Sequence, residues 1–343
     1  MPATAATLSD TSEKVESLLR KMGLTLTMGG EPTFVPANPN HPEWHTDAMG
    51  PTKLDYARRM TAELLRSTYP GALPMQVFGK QYPGEPLPRW VMLTISRNNK
   101  EPLWNLPKIL KLDETTPGKT TRADARKAAH ALAKDLDLKD YLRPASENGA
   151  ARPITGWVLP LDFNEKKQKW ISQKWPISSA TPLPLIPGES PLGWRLPLHR
   201  LPAKALRRAL TVEEKNGALW VFFPPLEWAP FQLLVSKLET IFSRSGFEDI
   251  VFCGYGPEGA GDAVEKFGLA ADPGVLEVNL PPAIDWNAFC SSIDAAFSVA
   301  KKVGLIAEKF ALNGQHQGAG GGSHLTFGGP SLENNPFLLQ PRL

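Results

Sequence analysis

The stretch DPGVLEVN, residues 272–279, decides the fold class of this chain. A proline–glycine turn leads into a strand, and successive side chains of a strand point to opposite faces. Leu276 and Val278 would lie on an apolar face, and Glu277 and Asn279 on the other, about 6–7 Å apart. A sheet with one buried and one polar face is typical of antiparallel pairing. The two polar side chains are either suitable oxygen ligands for Mg²⁺ or simply the wet face of the sheet.

Helices and strands follow one another on both sides of this segment without strict alternation. Apolar residues at spacings of three and four predict helices over 12–22, 53–66, 120–137, 230–245 and 286–303. Short apolar or alternating runs predict strands over 24–28, 89–96, 156–161, 218–223, 249–255, 275–280 and 323–329. This order favours an α+β fold, with a mixed, mainly antiparallel sheet and packed helices, over a doubly wound parallel sheet. Residues 1–11 are predicted to form a flexible tail, and 110–205 an insertion or loop-rich subregion.

The composition excludes several classes of function. The chain has 343 residues and a net charge of +3, which is too small to indicate nucleic acid or a membrane surface as a partner. It has no long apolar run and no apolar signal-peptide core, so we expect a cytoplasmic protein. Its two cysteines, Cys253 and Cys290, lack metal-binding spacing and are predicted to be thiols in a reducing compartment.

A glycine-rich stretch, GQHQGAGGGSHLTFGG at residues 314–329, is a candidate phosphate site. Glycine costs backbone entropy, so such a run needs a reason in a folded chain. Successive backbone N–H groups could bind an anion there, although the run does not match the P-loop pattern. The alternative is a loose segment. An apolar strand opened by His324 follows the glycines, which favours an ordered loop.

Charged residues in two turn-rich segments are further candidates. Glu31 follows two glycines at the end of an apolar strand, where a carboxylate is costly unless it meets a cation or donors; the alternative is a solvated turn. Lys80, Glu85 and Arg89 lie in GKQYPGEPLPRW, residues 79–90. Arg and Lys there could bind phosphate or carboxylate, arginine bidentately; the alternative is a surface turn.

Six separated motifs together resemble the bacterial amidoligase domain that usually follows a transglutaminase-like domain in a longer chain. They are LTMGGEPTFV, MGPTK, GKQYPGEPLPRW, GESPLGWRLPL, DPGVLEVN and HQGAGGGSHLTFGGPSLENNPFLLQPRL. The family is similar to the glutamine synthetase and glutamate–cysteine ligase superfamily, which implies a glutamine synthetase-like catalytic sheet, ATP and Mg²⁺. Residues 12–343 would be the N-terminal part of that domain, truncated at its C-terminus. The superfamily's E-x-E spacing is absent, because Thr33 stands at its second position.

The resemblance also implies roles for single residues. Those expected to be catalytic and to hold the metal are Glu31, Glu277 and His324. Those expected to contact the nucleotide are Lys80, Arg89, Gly318, Gly320, Gly321 and Gly322. Those expected to contact substrate are Glu85, Arg195, Asn279 and His316.

Two functions remain open from the sequence. The first is an ATP-dependent carboxylate–amine ligase that forms an amide, peptide-like bond through an acyl phosphate. Its partners would be a carboxylate and an amine, with peptides among the candidate substrates, and no nucleic acid and no membrane. The alternative is a non-catalytic or degenerate peptide- or nucleotide-binding module, whose missing part a partner chain or a continuation would supply. The ligase requires that Glu31, Glu277 and His324 converge beside the glycine turn at 318–322.

Overall fold

The computed structural model describes residues 5–85, 87–113, 116–147, 153–177, 182–310, 313 and 315–342. The chain divides into two compact units. Unit 1 comprises Met1–Thr68, Gln81–Val91 and Lys266–Leu343, and unit 2 comprises Tyr69–Lys80 and Met92–Glu265. Within the described ranges, no helix has both the length and the apolar character that crossing a bilayer would require.

The elements are numbered in chain order. The helices are α1 Ala5–Lys21, α2 Pro51–Ser67, α3 Arg122–Asp135, α4 Trp228–Ser245, α5 Trp286–Lys302 and α6 Pro336–Leu339. The strands are β1 Thr27–Glu31, β2 Thr33–Pro36, β3 Leu73–Phe78, β4 Trp90–Arg97, β5 Arg143–Glu147, β6 Gly156–Pro160, β7 Asp162–Asn164, β8 Lys169–Ile171, β9 Leu183–Leu185, β10 Ala209–Lys215, β11 Ala218–Phe223, β12 Ile250–Gly254, β13 Val264–Asp272, β14 Val275–Asn279, β15 Leu305–Ile306, β16 Glu308–Phe310, β17 His316–Gly318 and β18 His324–Gly328.

Unit 1 is built on antiparallel strands in the order β15–β2–β14–β13. Strand β1, which Pro32 separates from β2, pairs with β18 in a two-stranded antiparallel sheet of its own. Leu276 lies opposite Phe34 across β14 and β2, so both side chains point to the same face. Helix α5 packs on that face, where the ring of Phe297 meets Phe34 edge-on at 5.1 Å. The opposite face carries Thr33 and Glu277, which lie opposite each other across the same two strands.

Unit 2 contains a mixed sheet in the order β4–β3–β12–β11–β10–β6–β5–β9. Pairing is parallel between β11 and β12, β12 and β3, and β5 and β9, and antiparallel at β10–β11, β10–β6 and β5–β6. The apolar stripes of α3 and α4, including Leu132, Phe231 and Leu238, are buried in its core. Residues 162–171 form the small β7–β8 hairpin.

These elements confirm the α+β class. Each predicted helix is present, although α1 already begins at Ala5. Asp285 caps α5 as predicted, since its carboxylate accepts a hydrogen bond from the backbone N–H of Ala288. The likeness to the glutamine synthetase sheet stays a prediction, as do the flexible tail, of which residues 1–4 lie outside the described part, and the loop-rich subregion.

Candidate functional site

The polar face of the unit 1 sheet carries Glu277 and Asn279. Both side chains are half-buried, whereas Leu276 and Val278, which alternate with them along β14, are buried, as the alternation predicts. The amide of Asn279 donates to Oε1 of Glu277 at 3.1 Å. Thr33 lies directly opposite Glu277 on β2, and directly opposed residues of an antiparallel pair point to the same face. Glu277 and Thr33 are therefore neighbours on this face.

The glycine turn lies on the same face. Gly320, Gly321 and Gly322 have φ angles of +95°, +75° and +98°, in the left-handed region that favours glycine. A Cβ added to Gly321 would lie 2.8 Å from Cγ2 of Val275 and 3.2 Å from Cγ2 of Thr33. The turn thus covers Val275, which explains why this residue is buried although it belongs to the polar face.

Thr33 anchors the turn. Its hydroxyl donates to the backbone carbonyl of Gly320 at 2.7 Å and shares a hydrogen bond of 3.2 Å with the hydroxyl of Ser323. The Thr33 residue is only 1% exposed. The position at which the sequence departs from E-x-E spacing therefore holds a side chain that ties the turn to the sheet, because a buried hydroxyl requires such partners.

The backbone of the turn offers hydrogen-bond donors. The N–H of Ala319 donates to the carbonyl of Ala307 at 2.9 Å. Within the described part of the chain, the following four N–H groups, from Gly320 to Ser323, have no backbone or side-chain acceptor, and these residues are exposed. Consecutive N–H groups in a turn of this kind can bind an anion.

Glu31 and His324 form a pair at the end of the turn. They lie opposite each other in the β1–β18 ribbon, and Nδ1 of His324 is 3.1 Å from a carboxylate oxygen of Glu31. Glu31 is also two residues from Thr33, the cross-strand neighbour of Glu277. The three residues expected to bind metal thus lie around one turn, with two of them in direct contact.

These three groups do not form a ready-made metal cage. Among the described residues, no group of three His, Cys, Asp or Glu side chains is placed to hold a metal ion. Mg²⁺ usually binds through one or two protein carboxylates together with water and substrate phosphates. Glu31 and Glu277 supply oxygen donors of this type, so the residues present fit Mg²⁺ bound jointly with phosphate.

Arg89 is held by acidic residues next to this face. Its guanidinium bonds to Asp272 and to Oε1 of Glu85, the latter at 2.7 Å, and stacks over the ring of Tyr82 at 4.4 Å. Asp272 lies opposite Val275 in the β13–β14 pair. Burial lowers the pKa of Arg89, but the hydrogen bond and charge of Glu85, with Asp272, outweigh it and raise the pKa above its usual value. Arg89 and Glu85 therefore form an ion pair with each other, and their predicted contacts with nucleotide and substrate stay predictions.

Lys53, the last residue of the MGPTK motif, is a buried cation for which the sequence predicts no role. It is 0% exposed, and its ammonium donates to the carbonyls of Ala48 at 2.7 Å and of Asp272 at 2.6 Å. It also lies 5.3 Å from the centre of the Trp44 ring. Burial lowers the pKa of Lys53 to about 8, against the charges of Glu43 and Asp272, which raise it. Lys53 thereby fixes the end of β13 that carries Asp272.

Three further residues were predicted to contact nucleotide or substrate. Lys80 and Arg195 belong to unit 2, where Lys80 is exposed and Arg195 is 7% exposed. Arg195 bonds to Glu147 and lies 3.5 Å from a carboxylate oxygen of Glu213. His316 is paired with Glu308 on the surface of unit 1. The substrate and phosphate roles of Lys80, Arg195 and His316 stay predictions.

Comparison with known families is consistent with this geometry. The model of a family described as "Putative amidoligase enzyme (DUF2126)" matches residues 3–152, 141–207 and 202–343, which together cover almost the whole chain. This match indicates a ligase of the amide-forming kind. No match was found among curated proteins or among solved structures.

Proposed function

The chain belongs to this amidoligase family, and we propose that it is an ATP-dependent carboxylate–amine ligase that works through an acyl phosphate. One observation supports the proposal most strongly. The glycine turn is anchored by Thr33 on the same sheet face that carries Glu277, next to the Glu31–His324 pair. Donors for an anion and acids for a cation thus lie side by side, as phosphoryl transfer from ATP requires.

The proposed reaction has two steps. An oxygen of the substrate carboxylate attacks the γ-phosphorus of ATP, the bond to the β-phosphate oxygen breaks, and ADP leaves. The nitrogen of the amine then attacks the acyl carbon, the bond to the phosphate oxygen breaks, and inorganic phosphate leaves as the nitrogen loses a proton. The contribution of the protein is mainly to position the reactants and to neutralise charge.

The residues of the polar face would divide this work. Glu277 and Glu31 would hold Mg²⁺, which supplies neutralisation of the phosphate charge when it is bound. The turn N–H groups would hold phosphate oxygens. His324 is hydrogen-bonded to Glu31 through Nδ1, which orients the ring. Its Nε2 would accept the proton that the attacking amine loses.

The test is a substitution of Glu277 by glutamine. Glu277→Gln preserves size and can still accept from Asn279, so we expect a folded protein that has lost ATP turnover in the presence of Mg²⁺ and candidate substrates. The control is Glu333→Gln, since Glu333 is an exposed glutamate of the same unit that has no role in the proposed reaction. ADP release is measured by a coupled assay and folding by circular dichroism. Turnover at the wild-type rate in Glu277→Gln would refute the proposal.

The alternative is a binding module without catalysis. Thermal unfolding with Mg²⁺ and ATP, separately and together, distinguishes the two functions. A ligand that binds only the folded state raises its melting temperature. The ligase predicts a joint shift larger than either ligand gives alone, together with ADP release. A module predicts a shift without ADP release.

A further inference from the structure

One lysine lies against the glycine turn. Lys309 belongs to β16, the strand that pairs with β17 just before the turn. A Cβ added to Gly320 would lie 3.5 Å from Nζ of Lys309, so the ammonium lies close to the first residue of the turn. The residue is half-buried. In the ranges that the structure describes, its Nζ is in no ion pair and has no hydrogen-bond acceptor.

Four other cations of unit 1 already have partners. Arg89 is neutralised by Glu85 and Asp272, and Lys53 is enclosed by backbone carbonyls. Arg59 and Lys302 are paired with carboxylates on the surface. A lysine whose ammonium has no partner in the described part of the chain can bind an anion without losing an existing ion pair. Lys309 is therefore suited to receive an anion from outside the chain.

The donors around Lys309 fit a phosphoryl group. The N–H groups from Gly320 to Ser323 lack acceptors in the described part of the chain, and Gly320, the first of these residues, is the one that lies close to the ammonium. Four N–H groups and a cation exceed what the two oxygens of a carboxylate can accept, whereas a terminal phosphate offers three oxygens. Lysine binds phosphate as a point charge, and backbone N–H groups in a turn supply the directional bonds.

We infer that Lys309 and the turn N–H groups of Gly320 to Ser323 bind the terminal phosphoryl group of ATP. The inference rests on the proposed ligase function and adds a residue that the sequence motifs had not indicated. Lys309 would neutralise the group as it passes to the substrate carboxylate. Lys309 would contact only the end of the triphosphate, so removal of its ammonium would leave the affinity for AMP unchanged.

The test uses Lys309→Met, which retains the apolar stem of the side chain and removes the charge. Binding of inorganic tripolyphosphate, ATP and AMP is measured by calorimetry in the presence of Mg²⁺. We expect the affinity for tripolyphosphate and ATP to fall about tenfold or more, as for loss of a charged hydrogen bond, and any AMP affinity to stay unchanged. Lys309→Arg retains the charge and should retain most of the binding.

The matched control is Lys301→Met, because Lys301 is an exposed lysine near the end of α5. Melting temperatures of all variants show whether each one is folded. Wild-type tripolyphosphate affinity in a folded Lys309→Met protein, or no tripolyphosphate binding by the wild type, would overturn the inference.

If Lys309→Met binds tripolyphosphate normally while Glu277→Gln abolishes turnover, the ligase proposal stands and the Lys309 contact fails. If Lys309→Met loses tripolyphosphate but the wild type forms no ADP, the phosphate site stands and the ligase fails.

Discussion

Replacing Thr33 by valine tests how the glycine turn is held. The substitution removes a hydroxyl that donates to the carbonyl of Gly320 at 2.7 Å and shares a bond of 3.2 Å with Ser323. Each such bond contributes about 1 kcal/mol net. Gly320 and Ser323 are exposed and can bond to water when the turn lifts, so the loss is about 1–2 kcal/mol and falls on docking of the turn rather than on the whole fold.

The weaker docking of the turn is expected to lower the affinity for ATP. If ATP binds only the docked turn, a docking equilibrium weakened by about 1–2 kcal/mol lowers ATP affinity by about 5- to 30-fold, since 1.4 kcal/mol is a factor of ten. Isothermal calorimetry with Mg²⁺ and ATP measures this change directly. The melting temperature should change little, because the core residues beneath the turn are untouched.

The control for this substitution is Thr61→Val. Thr61 is 0% exposed, and its hydroxyl likewise donates to a backbone carbonyl, that of Ala57 at 2.9 Å, but within helix α2. We expect ATP affinity to be unchanged in Thr61→Val. The reasoning is refuted if Thr33→Val binds ATP with wild-type affinity, or if Thr61→Val weakens binding as strongly.

Three further predictions follow from local geometry. Gly321→Ala and Gly304→Ala both place alanine at positive φ, at a cost of about 1–2 kcal/mol, but only Gly321→Ala adds a clash with the sheet. Calorimetry should therefore show loss of ATP binding in Gly321→Ala alone, and equal ATP affinities of the two variants would contradict the account. The pKa of Lys53 is lowered to about 8 on folding, so unfolding takes up a proton between about pH 8 and 10.5. Urea titrations should therefore give a free energy of unfolding that rises with pH in this window by up to about 3 kcal/mol relative to Lys53→Met, and parallel curves for the two proteins would count against it. Asp285→Ala should lower the free energy of unfolding by about 1 kcal/mol through loss of the α5 cap, without affecting ATP binding; an unchanged stability would exclude the cap as a contributor.

Local patterns predicted much of the fold. The two-residue period at 275–279 identifies the face that carries Glu277, because strand geometry alone determines it. The three- and four-residue spacing over 286–303 predicts α5 to within one residue, and Asp285 marks its start. These features depend on residues that are close in sequence, so a single chain is sufficient to find them.

Long-range partners could not be predicted in this way. Thr33 and Gly320 are separated by 287 positions, and no local pattern pairs them. The sequence shows only that Thr33 departs from the E-x-E spacing, whereas the structure shows that its hydroxyl anchors the turn. Lys53 and Lys309 were missed for the same reason, because burial and contact with a distant turn depend on tertiary packing. The resemblance, not the spacing, predicts that Glu31 and His324 lie near each other, and their direct hydrogen bond was not predicted.

A crystal structure with Mg²⁺ and a non-hydrolysable ATP analogue tests the central claim most directly. The account predicts a triphosphate whose terminal group accepts hydrogen bonds from the N–H groups of Gly320 to Ser323 and lies within reach of Lys309, with the metal bound by Glu277 and Glu31. Nucleotide bound in unit 2, or density for the analogue that leaves the turn and Glu277 without contact, would contradict it.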